Sequence, residues 1–484
     1  MKRSVTPSFV LTLKLNTSKD DERILMKRFF YGWKIYNVLV RHVRKAIRSM
    51  RQDAKYRDAM NRYRKDRKSS GIKKELSDIR EQYGLSEYAL HKFVKLQQKR
   101  YAADIDSLTA QKIASHVWQA AQDVLFDSGK AVHFQKWMEF HSLEGKNNQS
   151  GIRFKDGRLR WNGLVIQPRL PKNDHYAREA LKNRVKYCRI SKKTVGNREQ
   201  FYLQLVLEGT PPVKHQIGSG RCGIDIGPST IATVSGTDCS LKVLASEAES
   251  VERKQRILFR KMDRSRRAMN PDNYNQDGTV RKGRKHWKKS NTYRKIQRRY
   301  QNLCRKRAAI VKQSHEREAN RLLTQADRFY VETMNFQGLA KRAQETKQDE
   351  SGRCKRKSRF GKSIANRAPA MFLSILERKL NAQGGCLRKI DTVRFRASQY
   401  NHLADTYQKK TLSERWNLIG EDKIQRDLYS AFLLMNSNAD GTAADRELCI
   451  KTYEDFKQKH DQLIERLKQS NELLPKSFGI RKAA

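Results

Sequence analysis

The stretch Arg221-Cys222-Gly223-Ile224-Asp225-Ile226-Gly227, followed by Thr230-Ile231-Ala232-Thr233-Val234-Ser235, decides how this chain is read. Its apolar residues predict a buried strand opening a hairpin. Inside that strand stands one ionisable residue, Asp225, and an ionised carboxylate there is unfavourable without a partner cation or hydrogen bonds. Further along, the apolar run Phe329-Tyr330-Val331 ends at Glu332. Asp427 then heads the helical run Leu428-Tyr429-Ser430-Ala431-Phe432-Leu433.

Taken singly, each acid has a plain structural explanation. Asp427 reads equally well as an N-cap that satisfies a free helix amide, and Glu332 as an exposed strand-end charge. Asp225 resists that treatment, and glycines flank it in a way that lets a phosphate backbone approach. Phosphodiester hydrolysis needs an activated water and a stabilised leaving oxygen, which two magnesium ions about 3.5–4 Å apart supply when acids bridge them. Magnesium prefers carboxylate oxygen, so Asp and Glu are suitable ligands where His and Cys are not. Asp225, Glu332 and Asp427 are therefore the candidate catalytic and metal-ligating set.

The chain has 484 residues, with 103 Lys and Arg against 51 Asp and Glu, a formal net charge of +52. Charge this one-sided opposes compaction unless polyanions neutralise it, so nucleic acid is the expected partner. A membrane protein is excluded by the lack of any apolar run near the roughly 18 residues that a span requires, and a cytoplasmic location is expected. The seven cysteines, at 188, 222, 239, 304, 354, 386 and 449, show no C-x-x-C and read as reduced thiols.

Residues 1–16 predict one strand, and 17–130 a basic helical lobe in which Arg41, Arg44, Lys45, Arg48 and Arg51 fall on successive turns. In 131–216 the pattern changes to short alternating strands, with two-residue turns at Asp156-Gly157 and Asn162-Gly163. That block, completed by the first strand, is expected to form a small β-barrel interrupted by the helical lobe. From 217 to 396 strands and helices alternate in the antiparallel-then-parallel order of a ribonuclease H-like α/β core. A long basic helical segment is expected over 251–325 and another helix over 365–383.

Residues 251–310 hold 21 Lys and Arg against 4 Asp and Glu. Aromatic residues interleaved with these cations offer stacking surfaces beside phosphate contacts. Arg256, Arg260, Lys261, Arg264, Arg266, Arg267, Trp287, Tyr293, Arg298 and Arg299 are the candidate nucleic-acid contacts. A second basic run, at Arg353, Lys355, Arg356, Lys357, Arg359 and Lys362, reads equally well as a loop near the catalytic cleft or RNA and as a generic charged loop.

At these residues the chain resembles the RuvC nuclease domain of the TnpB family of transposon-encoded RNA-guided nucleases and of the related type V CRISPR effectors. Gly223-Ile224-Asp225-Ile226-Gly227 is similar to the family's first acidic motif. Val331-Glu332 with Asn335-Phe336-x-Gly338-Leu339 is similar to the second, and Asp427-Leu428-Tyr429-Ser430-Ala431 to the third. The third departs in carrying Tyr429 where Asn is usual, and a competing Asp440-Gly441-Thr442-Ala443-Ala444 follows it. The zinc ribbon that normally precedes this motif is also missing: between Cys386 and Cys449 only His402 remains, and no zinc is expected.

The resemblance implies an α+β multidomain fold: a RuvC-like nuclease core, a wedge β-barrel and a helical recognition lobe. It also implies a target-strand loading insertion at 397–424, and the third motif with C-terminal helices at 425–484. The implied activity is RNA-guided, magnesium-dependent cleavage of double-stranded DNA in a single site, with two Mg2+ ions and a guide RNA as cofactors. Guide pairing would specify the target while the protein reads a short flanking motif. The alternatives are a nuclease-deficient guided repressor, if the third acid does not reach the others, and a strand transferase or resolvase sharing the fold.

Overall fold

The structure is a computed structural model that describes residues 6–126, 129–196, 198–213, 215–341, 351, 360–411, 413–471 and 473–481. It is mixed α/β and divides into two compact units, Met1–Pro212 and Val213–Ala484. No helix among the described residues is long and apolar enough to cross a membrane.

In the first unit, β1 (Ser8–Leu15) buries Phe9, Leu11, Leu13 and Leu15, with Val10 and Thr12 exposed and Lys14 half-buried between them, as a strand of period two does when one face is covered. The other strands are β2 (Ser142–Glu144), β3 (Arg153–Lys155), β4 (Arg158–Trp161), β5 (Leu164–Ile166), β6 (Pro168–Arg169), β7 (Val185–Val195) and β8 (Arg198–Glu208). They form two sheets, β2-β7-β8-β1-β6 and β3-β4-β5. The block expected as one barrel is thus divided, with an open strand order in the larger sheet. The smaller sheet is made by the two predicted turns: Asp156 and Gly157 have φ of 53° and 70°, Asn162 and Gly163 41° and 78°. Positive φ at both positions closes the hairpins tightly and keeps the strands short.

After β1 the chain runs through the helices Lys19–Gln52, Ala54–Lys65, Ser70–Gln82, Glu87–Lys99 and Ser107–Phe126 before returning at β2. The first of these starts in a capping box of Ser18 and Asp21 and buries Leu25, Phe29, Ile35, Leu39, Val43, Ile47 and Met50 along one face. Arg28, also buried, donates to the carbonyls of Trp161 and Asn162, both at 2.7 Å, which ties that helix to the small sheet.

The second unit contains β9 (Arg221–Ile226), β10 (Thr230–Ser235), β11 (Cys239–Val243), β12 (Arg328–Glu332) and β13 (Cys386–Ile390), in the order β11-β10-β9-β12-β13. The β9–β10 and β10–β11 pairs are antiparallel, whereas β12 runs parallel to both β9 and β13. On one face Cys222, Ile224, Ile226, Phe329 and Val331 pack with Leu322, Leu323, Phe372 and Leu376. On the other face Ala232, Val234 and Tyr330 pack with Leu428, Ala431 and Phe432 of the helix Arg426–Met435.

Three sequence expectations are corrected here. The helical segment expected over 251–325 is two helices, Glu249–Met269 and Asn291–Leu323, separated by an irregular stretch. Pro271, Gly278 and Gly283 break the periodicity, and the buried Asn270 holds the break by bonding the carbonyls of Arg266 and Lys288 and the amide of Lys288. The helix expected over 365–383 is Gly361–Arg367 and Pro369–Asn381, parted at Ala368, whose φ is 47°. The strand expected from Leu387 to Val393 ends at Ile390, where Asp391 caps the short helix Thr392–Phe395. The basic run at Arg353, Lys355, Arg356, Lys357 and Arg359 lies outside the described residues.

Candidate active site

Strand alternation sets the site. Because Cys222, Ile224 and Ile226 line one face of β9, Gly223 and Asp225 face the other, toward the helix Arg426–Met435. In β12 the same rule puts Tyr330 and Glu332 on that face. The parallel register pairs Tyr330 with Gly223 and Val331 with Ile224, so Glu332 emerges beside the level of Asp225.

Gly223 lets the helix that carries Asp427 lie on the sheet. A β-carbon there would run into the Ala431 carbonyl oxygen and the Met435 amide, so only glycine lets this helix lie directly on β9. The glycine expected to admit phosphate admits a helix instead. Asp427 then sits in the helix's first turn, and it is not the cap. The N-cap is Gln425, whose side-chain oxygen accepts the Leu428 amide at 2.8 Å.

The electrostatics bind the three together. Asp225 is half-buried, and its carboxyl is pushed well above the usual Asp range by burial first, then by the charges of Asp427 and Glu332, with Arg426 opposing. Glu332 is raised by burial, against a hydrogen bond from the Ala397 backbone. Asp427 is raised by burial, against Arg415, a side-chain hydrogen bond from Gln425, and Arg426. A carboxylate raised by burial and by two neighbouring acids, as Asp225 is, is a group whose ionised form a cation would favour.

The competing Asp440 is exposed, in a turn that Asn438 closes by bonding Thr442. It is not among the charges that raise Asp225.

Magnesium fits this donor set, because all three side chains offer hard oxygen. Among the described residues no group of three or more His, Cys, Asp or Glu side chains is placed so as to hold a metal ion as the structure stands. Magnesium does not need one: it is usually held by one or two carboxylates, with water and substrate phosphate completing the shell.

The second and third motifs carry further structural work. Asn335 caps the short helix Phe336–Ala340 through the Gly338 amide at 2.8 Å. Tyr429, which replaces the usual Asn, is fully buried, and its hydroxyl lies 2.8 Å from His402 Nδ1 and accepts the His402 amide at 3.2 Å. Tyr429 therefore tethers the 397–424 segment to the sheet-packing helix.

Of the candidate nucleic-acid contacts, Arg256, Arg260, Lys261, Arg264, Arg298 and Arg299 are exposed and have no ion-pair partner among the described residues. Arg266 and Arg267 differ: both pair with Asp263, and they stack on Trp287 and Tyr274 respectively, so they hold the irregular stretch in place. Trp287 and Tyr293 are half-buried.

Sequence reasoning missed a set of exposed rings in the first unit, each carrying a cation. Lys34 lies over Phe30, Arg80 over Phe126, Arg44 over Phe134 and Lys92 over Tyr88, at 4.6–5.2 Å. The i,i+4 pairs among them were visible as spacing, but the exposure of the rings was not.

No family model matches the chain, and no curated protein does. Solved structures do. A cryo-EM structure of a Cas12f1–sgRNA–target DNA complex covers 88% of this chain and 98% of its own, at 13% identity and a TM-score of 0.43. A cryo-EM structure of a CRISPR–Cas12f ternary complex covers 86% and 82%, at 13% identity and a TM-score of 0.26. Likeness of that degree leaves the chemistry to be argued from the residues.

Proposed function

We propose that this protein is an RNA-guided, magnesium-dependent DNA endonuclease with one site, formed by Asp225, Glu332 and Asp427 on a ribonuclease H-like, RuvC-type sheet. One relationship carries the reading: Asp225, the only carboxylate inside its apolar strand run, is raised by burial first and then by the charges of Asp427 and Glu332 from two other elements. The antiparallel-then-parallel strand order and the net charge of +52 support it.

The three carboxylates would hold two magnesium ions, which supply nucleophile activation and leaving-oxygen stabilisation when bound. In this reading Glu332, at the end of β12, and Asp427, in the first turn of the helix laid on β9, are the other two ligands beside Asp225. Arg426 is fixed by the carbonyls of Thr411 and Glu414 at 3.0 and 3.3 Å, and its charge opposes the rise of the Asp225 and Asp427 carboxyls. The exposed cations on the helices Glu249–Met269 and Asn291–Leu323, with the ring and cation pairs of the first unit, are suited to an RNA scaffold and a heteroduplex. Guide RNA and double-stranded DNA are the proposed partners, in the manner of TnpB-family and type V proteins.

The test is purification from cells followed by sequencing of the RNA that accompanies the protein. A discrete RNA, and a ribonucleoprotein that cuts a plasmid matched to it with magnesium but not with EDTA, is the expected result. A protein without a discrete RNA that acts on branched or unmatched DNA contradicts it.

A further inference from the structure

Neither the three acids nor the basic helices use one cleft in the first unit. It has a volume of about 280 Å3 and lies where the helices Lys19–Gln52 and Ser107–Phe126 meet the segment 135–144. Its outer wall is fixed by hydrogen bonds. The Asn37 side chain accepts the Gln135 amide and donates to the Gln135 carbonyl, each at 3.0 Å, and the Trp33 indole donates to the same carbonyl at 2.7 Å. Further on, the His141 carbonyl accepts the Lys192 amide at 2.9 Å, and β2 then continues along β7. A cleft walled in this way is preorganised, so a ligand can enter without first ordering the protein.

The charges along it are already matched. Glu144, 4% exposed, accepts Lys112 Nζ and Arg189 Nε, each at 2.8 Å, and His116 Nε2 stands 4.0 Å from the same carboxylate. Apart from Lys112 the lining brings no lysine or arginine, and Glu139 adds a second carboxylate. The interior therefore does not favour phosphate, unlike the basic surfaces elsewhere on the chain.

What the cleft does offer is neutral. Tyr36 and Phe140 supply an aromatic wall. The Tyr36 hydroxyl, the Gln135 side-chain amide, the His141 ring and the Ser142 hydroxyl line the same space, and none of them has a hydrogen-bond partner among the described residues. Donors and acceptors thus stand free beside aromatic rings. This is the chemistry that reads an unstacked nucleobase, which packs on rings and bonds through its edge while its phosphate stays outside.

We propose that this cleft binds one unpaired nucleobase of the nucleic acid that the protein carries. The inference rests on the nucleic-acid part of the proposed function and is independent of the metal site. RNA and DNA bases share the chemistry, and the experiment separates the two sources.

The test is chemical footprinting of the purified ribonucleoprotein, first with its own RNA and then with guide-matched DNA added. Dimethyl sulfate reports the pairing edges of adenine and cytosine, and a carbodiimide those of guanine, uracil and thymine. Native protein is compared with Gln135→Ala/His141→Ala, which removes two side chains that bond nothing among the described residues and leaves the backbone clamp of Asn37 in place. The expected result is one unpaired position protected in the native complex and reactive in the variant. It lies on the RNA if protection precedes the DNA, and on the DNA if protection appears only with it. Affinity for that strand should fall by about 10-fold, with the slope of log K against log salt unchanged because no phosphate contact is lost. Native-like protection in the variant overturns the proposal, and so does a shallower slope, since the two residues would then be serving phosphate. If the variant melts earlier than native, Tyr36→Phe/Ser142→Ala, which deletes only two hydroxyls, is judged by the same criteria. A ribonucleoprotein that cuts matched DNA but protects no unpaired base removes this inference alone. A protein without a discrete RNA removes the proposed function and this inference with it.

Discussion

Gly223 and Ala431 are in backbone contact: the space a side chain would need at residue 223 is filled by the carbonyl oxygen of residue 431. This contact lays the helix Arg426–Met435, which carries Asp427 in its first turn, on the strand that carries Asp225.

Gly223→Ala is expected to cost about 3 kcal/mol or more, since the obstacle is helix backbone and not a movable side chain. Because the helix must lift, cleavage falls with stability. Chemical denaturation and a cleavage assay on the same preparation check this. Unchanged stability would mean that the helix does not rest on β9 as described.

Arg256, Arg260 and Arg264 recur every four residues along one face of the helix Glu249–Met269. If that face binds RNA phosphates, replacing all three by Gln makes the dependence of log K on log salt shallower by about 2, at roughly 0.7 per lost contact on single strands. Guide-RNA affinity measured from low to moderate salt gives the slope. An unchanged slope removes this face from the RNA interface. Arg266 and Arg267 are left out because Asp263 engages both.

Much of this was legible in the sequence because it follows from local periodicity. The apolar runs at 221–226 and 328–332 marked the two strands that carry Asp225 and Glu332, and the apolar run after Asp427 marked the helix that carries the third acid. What was not legible depends on residues distant in sequence. Gly223 read as space for phosphate until the helix was seen to occupy it. Tyr429 read as a defect in a motif, and it is the partner of His402, a pairing no spacing rule reveals. The cap fell to Gln425 and not to Asp427, because the buried His460 lies 35 residues on and receives the Gln425 amide. The break within 251–325 was signalled by Pro271, Gly278 and Gly283, but the strong basic composition on both sides concealed it.

His402 should make the fold acid-sensitive. Its ring is fully buried, and its pKa is lowered to about 4 by burial first and then by the charge of Arg446. With an ordinary value of 6.5, the unfolded chain takes up a proton as pH falls below 6.5 while the folded chain does not. Stability from this residue is therefore intact above pH 6.5, is lost progressively down to about 4, and amounts to on the order of 3 kcal/mol in full. Between pH 7 and 5 the native protein should lose about 2 kcal/mol more than His402→Gln in urea unfolding. Equal losses would mean that the ring is not kept neutral by burial.

The central claim is that Asp427, and not Asp440, completes the set with Asp225 and Glu332. Single-turnover cleavage of guide-matched DNA by Asp427→Ala and Asp440→Ala ribonucleoproteins, with guide-RNA binding measured in parallel, tests it most directly. The account predicts that Asp427→Ala binds RNA normally and does not cut, while Asp440→Ala cuts at close to the native rate. Native-like cutting by Asp427→Ala would contradict it.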